Sequence, residues 1–440
     1  MSIDEKKLSD FFTNLDEWLV KTRRKLHQYP EVGWTEYFTT YLIVESLKEI
    51  DEDFTLYIGK DALVSEERMG VPSNEVLTKA EERARSLGVP EKLMEKMEGG
   101  HTGVVAQLDT GKPGPHVAFR FDIDALPILE SEADSHGPTA KAFRSCNEGE
   151  MHACAHDGHA TIGLGLARFI SEVKDQLSGK ITLLFQPAEE GSRGALSMVE
   201  KGWLDEIDYF MSGHIGVKPM EIGYVAATCA GFLATTKINA SFSGKSAHAG
   251  IAPQEGKNAL LAAASATVHL HGITRHSSGG TRINVGKIEA GRGRNIIADR
   301  GYLELETRGD TTELNQFMVE EGKRILNSTA SLFNVDVKVD IVGEGIGADC
   351  DSYWIEKVKD VCKNKGGITH VIPEVRINGS EDATYMIRRV QQNGGKATYM
   401  IFGTPLAAGH HHPQFDYDER VLTVGVETFG RMLLNLQEGE

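Results

Sequence analysis

The densest chemistry in the chain lies in Met151-His152-Ala153-Cys154-Ala155-His156-Asp157-Gly158-His159, where one thiol, three imidazoles and one carboxylate share nine residues. Cysteine and histidine are the usual ligands of zinc-like transition metals, and aspartate often orients them from behind. Cys154 and His156 are two apart, so they project to one side only if the segment is extended. An apolar helical pattern follows, with Ile162, Leu164, Leu166, Ala167, Phe169 and Ile170, and Asp157 stands where its N-cap would be. The two potential ligands are therefore expected on a loop between a strand and a helix, with His159 facing inward from the first turn. One buried Cys or His is more often packing than ligand, so the reading depends on further donors. They recur. Gln186-Pro187-Ala188-Glu189-Glu190-Gly191 follows the apolar run 180–185, His214 closes the run 207–213, and Gly409-His410-His411-His412-Pro413 follows the run 397–403 after a short loop. Donors at the carboxyl ends of several strands match the place where α/β sheets form ligand crevices.

Two adjacent glutamates at a strand end suggest a division of labour. One carboxylate would bind a metal while its neighbour serves as general base toward an attacking water and hands the proton to a leaving nitrogen. A Gly-x-Ser-x-Gly elbow is absent, which argues against a serine hydrolase. There is no P-loop and no Gly-x-Gly-x-x-Gly after the first strand, and Gly291-Arg292-Gly293-Arg294 is only a weak echo of one. Asp122 and Asp124 follow a strand and are either turn residues or supports for ligands.

The elements that must position these groups can be read from periodicity. Helices are expected over 5–26 and 34–49, and a short strand over 54–58. Residues 60–98, rich in Glu, Lys and Arg, read as a helical surface insertion. Residues 103–108 and 116–121 read as strands paired about the turn Gly111-Lys112-Pro113-Gly114. Strand and helix then alternate through 225, which indicates a mostly parallel sheet covered on both faces. From 226 to 342 the order becomes β-α-β-β-α-β, that of a ferredoxin-like unit. Residues 343–440 return to the first pattern. The expected fold is thus α/β with two domains: residues 1–225 and 343–440 with a mixed, largely parallel sheet, interrupted by an inserted ferredoxin-like domain, 226–342.

The bulk numbers narrow the function classes. A chain of 440 residues exceeds one ordinary core. Hydrophobic residues at 40% and charged residues at 25% are ordinary for a globular protein. A net charge of −17 argues against nucleic acid or an anionic membrane as partner, and an anionic substrate would need a local basic pocket. There is no apolar run long enough to span a membrane and no signal core in residues 1–10. Five scattered cysteines suit free thiols in a reducing compartment, so a cytoplasmic location is expected.

Taken together, Cys154 through His159, Pro187 through Gly191, His214 and His411 resemble the metallo-amidohydrolases that include hippurate hydrolase and the auxin-conjugate hydrolases. These belong to the wider aminoacylase and carboxypeptidase superfamily with two co-catalytic metals. Asp122 through Pro127, Gly244 through Gly250 and Gly379 through Asp382 are similar as well, so the resemblance covers nearly the whole chain. It implies Cys154, His156, Glu190, His214 and His411 as metal ligands, the choice of His411 over His410 and His412 resting on its spacing before Phe415. It implies Glu189 as general base, and Asp124 as a support behind the ligands. On the inserted domain it implies His248, which would reach a partner protomer's site, and Asn295 as a substrate contact. Arg294, beside Asn295, is a candidate clamp for a substrate carboxylate. The implied cofactors are two divalent ions, Mn²⁺ first and Zn²⁺ or Co²⁺ as alternatives. The implied activity is hydrolysis of N-acyl amino acids, with p-aminobenzoyl-glutamate first. The rival readings are hippurate-like or N-acetyl substrates, and a catalytically silent subunit. The chain would work as a homodimer, or as a heterodimer with a related subunit. Family members usually carry Gly where this chain has Ala155, so the backbone there should not need a Gly-only conformation.

Overall fold

A computed structural model of the protein describes residues 5–437. Twelve strands run through them: β1 (Thr55–Ile58), β2 (Val104–Asp109), β3 (His116–Asp122), β4 (Lys180–Gln186), β5 (Tyr209–Ile215), β6 (Tyr224–Ala230), β7 (Ala234–Ser243), β8 (Thr281–Ala290), β9 (Arg300–Gly309), β10 (Asp336–Gly345), β11 (His370–Arg376) and β12 (Lys396–Phe402). Eight form a mixed sheet in the order β1-β2-β4-β3-β5-β12-β6-β11, and four form a second sheet in the order β10-β7-β9-β8. Within the large sheet β4, β3, β5 and β12 are neighbours and mutually parallel. Their four carboxyl ends therefore open on one edge. The expected α/β architecture is the one the chain adopts.

Central strands of the large sheet are apolar on both faces, so both must be covered. Val117, Phe119 and Phe121 of β3 join one apolar layer with Leu15, Leu19, Ile43, Leu166, Phe169 and Phe429 of the helices Glu5–Gln28, Tyr37–Ile50, His156–Val173 and Val421–Gln437. Ala118, Leu184 and Phe210 join the opposite layer with Met198, Met386 and Ile387 of Ala195–Val199 and Ala383–Gln392. Each fully buried Phe or Leu contributes about 2 kcal/mol. The helix His156–Val173 is buried nearly all round. Gly163 allows this, because a Cβ there would intrude on Phe121 and Phe185.

The small sheet follows the order β7, helix Ala259–His271, β8, β9, helix Thr312–Leu332, β10, with every neighbouring pair antiparallel. This is the ferredoxin-like arrangement. One face packs Ile238, Ala240, Leu303 and Leu305 against Ala262, Ala266, Met318 and Leu326 of the two helices. The chain meets the small sheet at Ala234 and leaves it at Gly345. β6, which the division at 225/226 would split, lies wholly in the large sheet because it pairs with both β12 and β11. Near the exit, Gly343 passes so close to Gly191 that a Cβ would strike its carbonyl oxygen, and Glu344 N donates to Ser192 O at 2.7 Å.

The expected β2–β3 pairing is corrected by the structure. β4 inserts between them, antiparallel to β2 and parallel to β3. All of β4 except Lys180 is buried, so the backbone groups on both its edges need strand partners. The insertion 60–98 carries the helices Asn74–Ser86 and Glu91–Met97, which turn Leu77, Ala80, Ala84, Leu93, Met94 and Met97 inward. Its other flank is tied down by Trp34 Nε1 donating to Met69 O at 2.7 Å. Among the described residues no helix is long and apolar enough to cross a membrane.

Candidate metal centre

The parallel strands β4, β3, β5 and β12 carry their donors to one edge of the large sheet. Asp122 ends β3 and Asp124 follows it; Glu189 and Glu190 follow β4; His214 lies at the end of β5; the loop after β12 carries His411. Cys154 arrives on the loop before the helix His156–Val173, and His156 is that helix's first residue. The backbone of His411 donates to Ala153 O at 2.8 Å, which docks the last loop beside Cys154. Three groups of donor atoms result, each close enough to hold one ion: Cys154, His156 and His214; Cys154, Glu190 and His411; His156, Glu189 and Glu190. All five expected ligands are in these groups, with Cys154, His156 and Glu190 each shared between two of the three. The three consecutive histidines divide by geometry. His411 Nε2 lies 3.4 Å from Glu190 Oε1, His410 Nε2 donates to Gly216 O at 2.6 Å, and His412 Nδ1 accepts from Gln414 N at 3.0 Å.

Asp124 holds this arrangement from behind. Its Oδ1 accepts from Glu189 N and its Oδ2 from Glu190 N, both at 3.0 Å. His156 Nδ1 donates to the Asp124 carbonyl at 2.9 Å, with Asp124 Oδ1 at 3.2 Å. His214 Nδ1 donates to Ile215 O at 2.9 Å, which leaves its Nε2 facing Cys154 Sγ at 3.4 Å. Each ring is thus anchored through Nδ1 and offers Nε2, the pattern of imidazole metal ligands. His156 Nε2 and Glu190 Oε1 are buried and in no hydrogen bond. A thiol, imidazoles and carboxylates around such unpaired atoms fit divalent metal ions.

The local field is acidic. Burial, reinforced by Glu381, Glu190 and Asp382, pushes the Glu189 carboxyl well above its ordinary range, so this side chain readily holds a proton. Burial raises the Cys154 thiol as well, aided by Glu190. Asp122 runs the other way: burial opposes its charge, but His156, His159 and Arg120 hold it well below the carboxylate range. Arg120 was not singled out from the sequence. It sits fully buried in the apolar run of β3 and bonds Asp122 (2.8 Å), Asp382 (3.1 Å) and Glu381 (3.0 Å). A charged residue inside an otherwise apolar strand was the available signal. Glu381 and Asp382, with Glu189, form a further carboxylate group at the site's edge.

Two local expectations are corrected. The N-cap of His156–Val173 is Ala155, not Asp157. Asp157 turns instead into the core, where its Oδ2 accepts from Arg23 Nε and meets His27 Nδ1, both at 2.8 Å. Ala155 itself has φ 67° and ψ 16°, the left-handed conformation that glycine adopts without cost. Ala188, Ser192 and His411 also have positive φ. Such strain gathers at functional sites where the surroundings enforce it.

His248, Arg294 and Asn295 are not brought to this centre within the chain. All three are exposed on the small-sheet unit. The segments of His248 and Asn295 are joined to each other, through Ala249 N to Asn295 O (3.0 Å) and Ile297 N to Ala247 O (2.9 Å). Instead, a cleft of about 440 Å³ beside Cys154, Glu189, Glu190, His214 and His411 is walled by Lys237, Glu306 and Arg308, which sequence reading did not select.

Residues 118–435 match the family model described as peptidase family M20/M25/M40. The chain is 44% identical over 429 residues to an indole-3-acetyl-aspartic acid hydrolase of Enterobacter agglomerans, covering 97% of this chain and 98% of the relative. It is 43% identical, with the same coverage, to the A-type subunit of the p-aminobenzoyl-glutamate hydrolase of Escherichia coli. The crystal structure of an aminobenzoyl-glutamate utilization protein from Klebsiella pneumoniae superposes with a TM-score of 0.83 at 37% identity, covering 97% of this chain and 98% of that one. The chain therefore belongs to peptidase family M20/M25/M40, and its activity is that of a hydrolase.

Proposed function

We propose that the protein hydrolyses the amide bond between an acyl group and an acidic amino acid, p-aminobenzoyl-glutamate first. The observation that carries this reading is the buried Glu189 carboxyl set among Cys154, His156, Glu190, His214 and His411. Those five residues would hold two divalent ions, Mn²⁺ first and Zn²⁺ or Co²⁺ as alternatives, whose chemistry is Lewis-acid polarisation of the scissile carbonyl and of the attacking water. Glu189 takes the proton from that water and delivers it to the leaving nitrogen. Asp124 keeps Glu189, Glu190 and His156 in register through its hydrogen bonds. Two relatives at 43–44% identity are named for different acyl groups, yet both names specify an acidic amino acid, which supports that half of the substrate.

The small-sheet unit serves in this reading as lid and dimer contact. Exposed His248, Arg294 and Asn295 would act in the site of a second protomer, His248 by a hydrogen bond to the developing oxyanion. That protomer is a second copy or a related chain, and the latter is supported by a relative whose name makes it one subunit of its hydrolase. None of the five cysteines forms a disulfide, in keeping with a reducing, cytoplasmic setting. The test is a hydrolysis screen of acyl-amino acids with the protein loaded in turn with Mn²⁺, Zn²⁺ and Co²⁺. Cleavage of aminobenzoyl-glutamate to the aromatic acid and glutamate is expected. Equal rates on hippurate would reduce the reading to a general acyl-amino-acid hydrolase. Absence of turnover on every conjugate, with metal bound, would leave a silent subunit.

A further inference from the structure

The cleft beside the metal centre is acidic, with Glu189, Glu190, Glu306 and Glu381 in its lining. A substrate that brings its own carboxylates needs a cation there. Histidines apart, the cations lining the cleft among the described residues are Lys237 and Arg308. Both come from the small sheet, and its pairing explains why they stand together. Thr235 lies opposite Arg308 and Lys237 opposite Glu306 in the β7–β9 register. The alternate positions, Ile238 with Leu305 and Ala240 with Leu303, are consumed by the helix-covered core. The period of two therefore sends Thr235, Lys237, Glu306 and Arg308 to the opposite face, and at the end of the sheet where the chain enters and leaves it that face is a wall of the cleft.

The side chains form one connected unit. Lys237 Nζ donates to Glu306 Oε2 at 2.7 Å and to Thr235 Oγ1 at 2.9 Å. Arg308 donates from Nε to Glu306 Oε1 at 3.0 Å and from Nη2 to Oε2 at 3.2 Å. Two cations against one carboxylate leave a net charge of +1. An ammonium has three N–H donors and two are used here; Arg308 Nη1 is in no hydrogen bond among the described residues. An ordinary cross-strand ion pair would spend its donors internally and stand in solvent. This one is partly dehydrated, and burial pulls the Lys237 ammonium below its usual value although Glu306 opposes the shift. A partly dehydrated cation with a donor to spare binds an incoming carboxylate more strongly than a solvated one.

We infer that Lys237 is a specificity-determining residue that takes the side-chain carboxylate of the leaving amino acid, with Glu306 and Arg308 holding it in place. Glu306 fixes the spacing of the two cations and cancels one charge, so the unit accepts one carboxylate. The inference rests on the proposed hydrolysis of acyl-amino acids and deepens it, by assigning the acidic-side-chain selectivity to a named group within the same protomer. It transfers to Lys237 the role that the sequence suggested for Arg294.

The test compares aminobenzoyl-glutamate with aminobenzoyl-glutamine, which matches it in shape but lacks the charge, on the metal-loaded protein. The wild type should favour the glutamate conjugate in kcat/KM by about tenfold or more, the scale of a hydrogen bond to a charged group. Lys237→Met should lose about tenfold or more on the glutamate conjugate and stay within about twofold on the glutamine conjugate. Lys237→Arg should recover part of the preference. Binding of both conjugates to Glu189→Gln and to Glu189→Gln/Lys237→Met, by equilibrium dialysis, provides a readout that needs no turnover. A loss of affinity confined to the glutamate conjugate supports the assignment even where no conjugate is cleaved, whereas cleavage itself tests the hydrolase reading. An unchanged preference in Lys237→Met overturns the assignment. So does an equal loss on both conjugates, which marks Lys237 as a structural ion pair.

Discussion

The two units of this protein treat their polar residues in opposite ways. On the large sheet the candidate ligands are tied down: His156 and His214 through Nδ1, and Glu190 through its backbone to Asp124. On the small sheet His248 is exposed, and its Nδ1 accepts only from Gly250 N (3.1 Å) and Ile251 N (3.2 Å), in its own turn. The first arrangement spends folding energy in advance so that nothing need reorganise during reaction. The second leaves a group free to meet something outside the chain. The difference teaches that the half of the proposed site on the large sheet is preorganised, while the residues proposed from the small sheet have no such anchoring.

The contrast can be broken most completely at Cys154. In Cys154→Ala we expect metal content by elemental analysis to fall with activity, since a ligand shared by two donor groups is removed; full occupancy would show that Cys154 is no ligand. Next comes Glu189→Gln, which should keep its metal and its melting temperature yet lose about a hundredfold or more in kcat. Near-normal turnover there would move the base elsewhere. His248→Ala sharpens the comparison from the other unit. It should bind metal normally and lose about 3 kcal/mol of transition-state stabilisation, roughly a hundredfold in rate. Mixing it with Glu189→Gln should restore part of the activity if His248 serves a partner's site, and mixed dimers without rescue would place it outside catalysis. The smallest effect is expected at Ala155→Gly. Relief of the left-handed conformation, partly offset by the greater freedom of the unfolded chain, should raise stability by up to about 1 kcal/mol with metal content unchanged; a clear fall in Tm would mean the methyl group's packing outweighs the strain.

What could be read from the sequence was whatever repeats locally. Apolar runs ending in Glu189, His214 and the His410–His412 loop announced strand ends, and the βαββαβ order of the small unit followed from a change in period. Pairings made across long stretches were not visible in the same way. β4 enters between β2 and β3 because both its edges are buried, a fact about neighbours rather than about residues 103–121. Ala155 was expected to need no glycine-like conformation, but a methyl group does not reveal the sign of φ; the junction between Cys154 and the helix imposes a positive one. Asp157 has the chemistry of an N-cap, but Arg23 and His27, far away in sequence, compete for its carboxylate and win. Nothing in the alternation of β7 and β9 sets Lys237 and Arg308 apart. What makes them part of the cleft is the way the small sheet leans on the large one.

One of the ties between the two units reaches the candidate ligands directly. β10 leaves the small sheet with Glu344 N bonded to Ser192 O, and Ser192 N is bonded in turn to Glu189 O at 2.6 Å. Gly343 lies against Gly191 with no room for a side chain. If the small sheet acts as the proposed lid, its swing would pull on the loop that carries Glu189 and Glu190. A substrate that drew the unit inward would do mechanical work on the carboxylates expected to hold metal. By thermodynamic reciprocity, whatever factor metal loading applies to substrate affinity, substrate must apply to metal affinity. Metal affinity, measured with and without an uncleaved conjugate, would then gauge the coupling to the proposed lid without following the reaction at all.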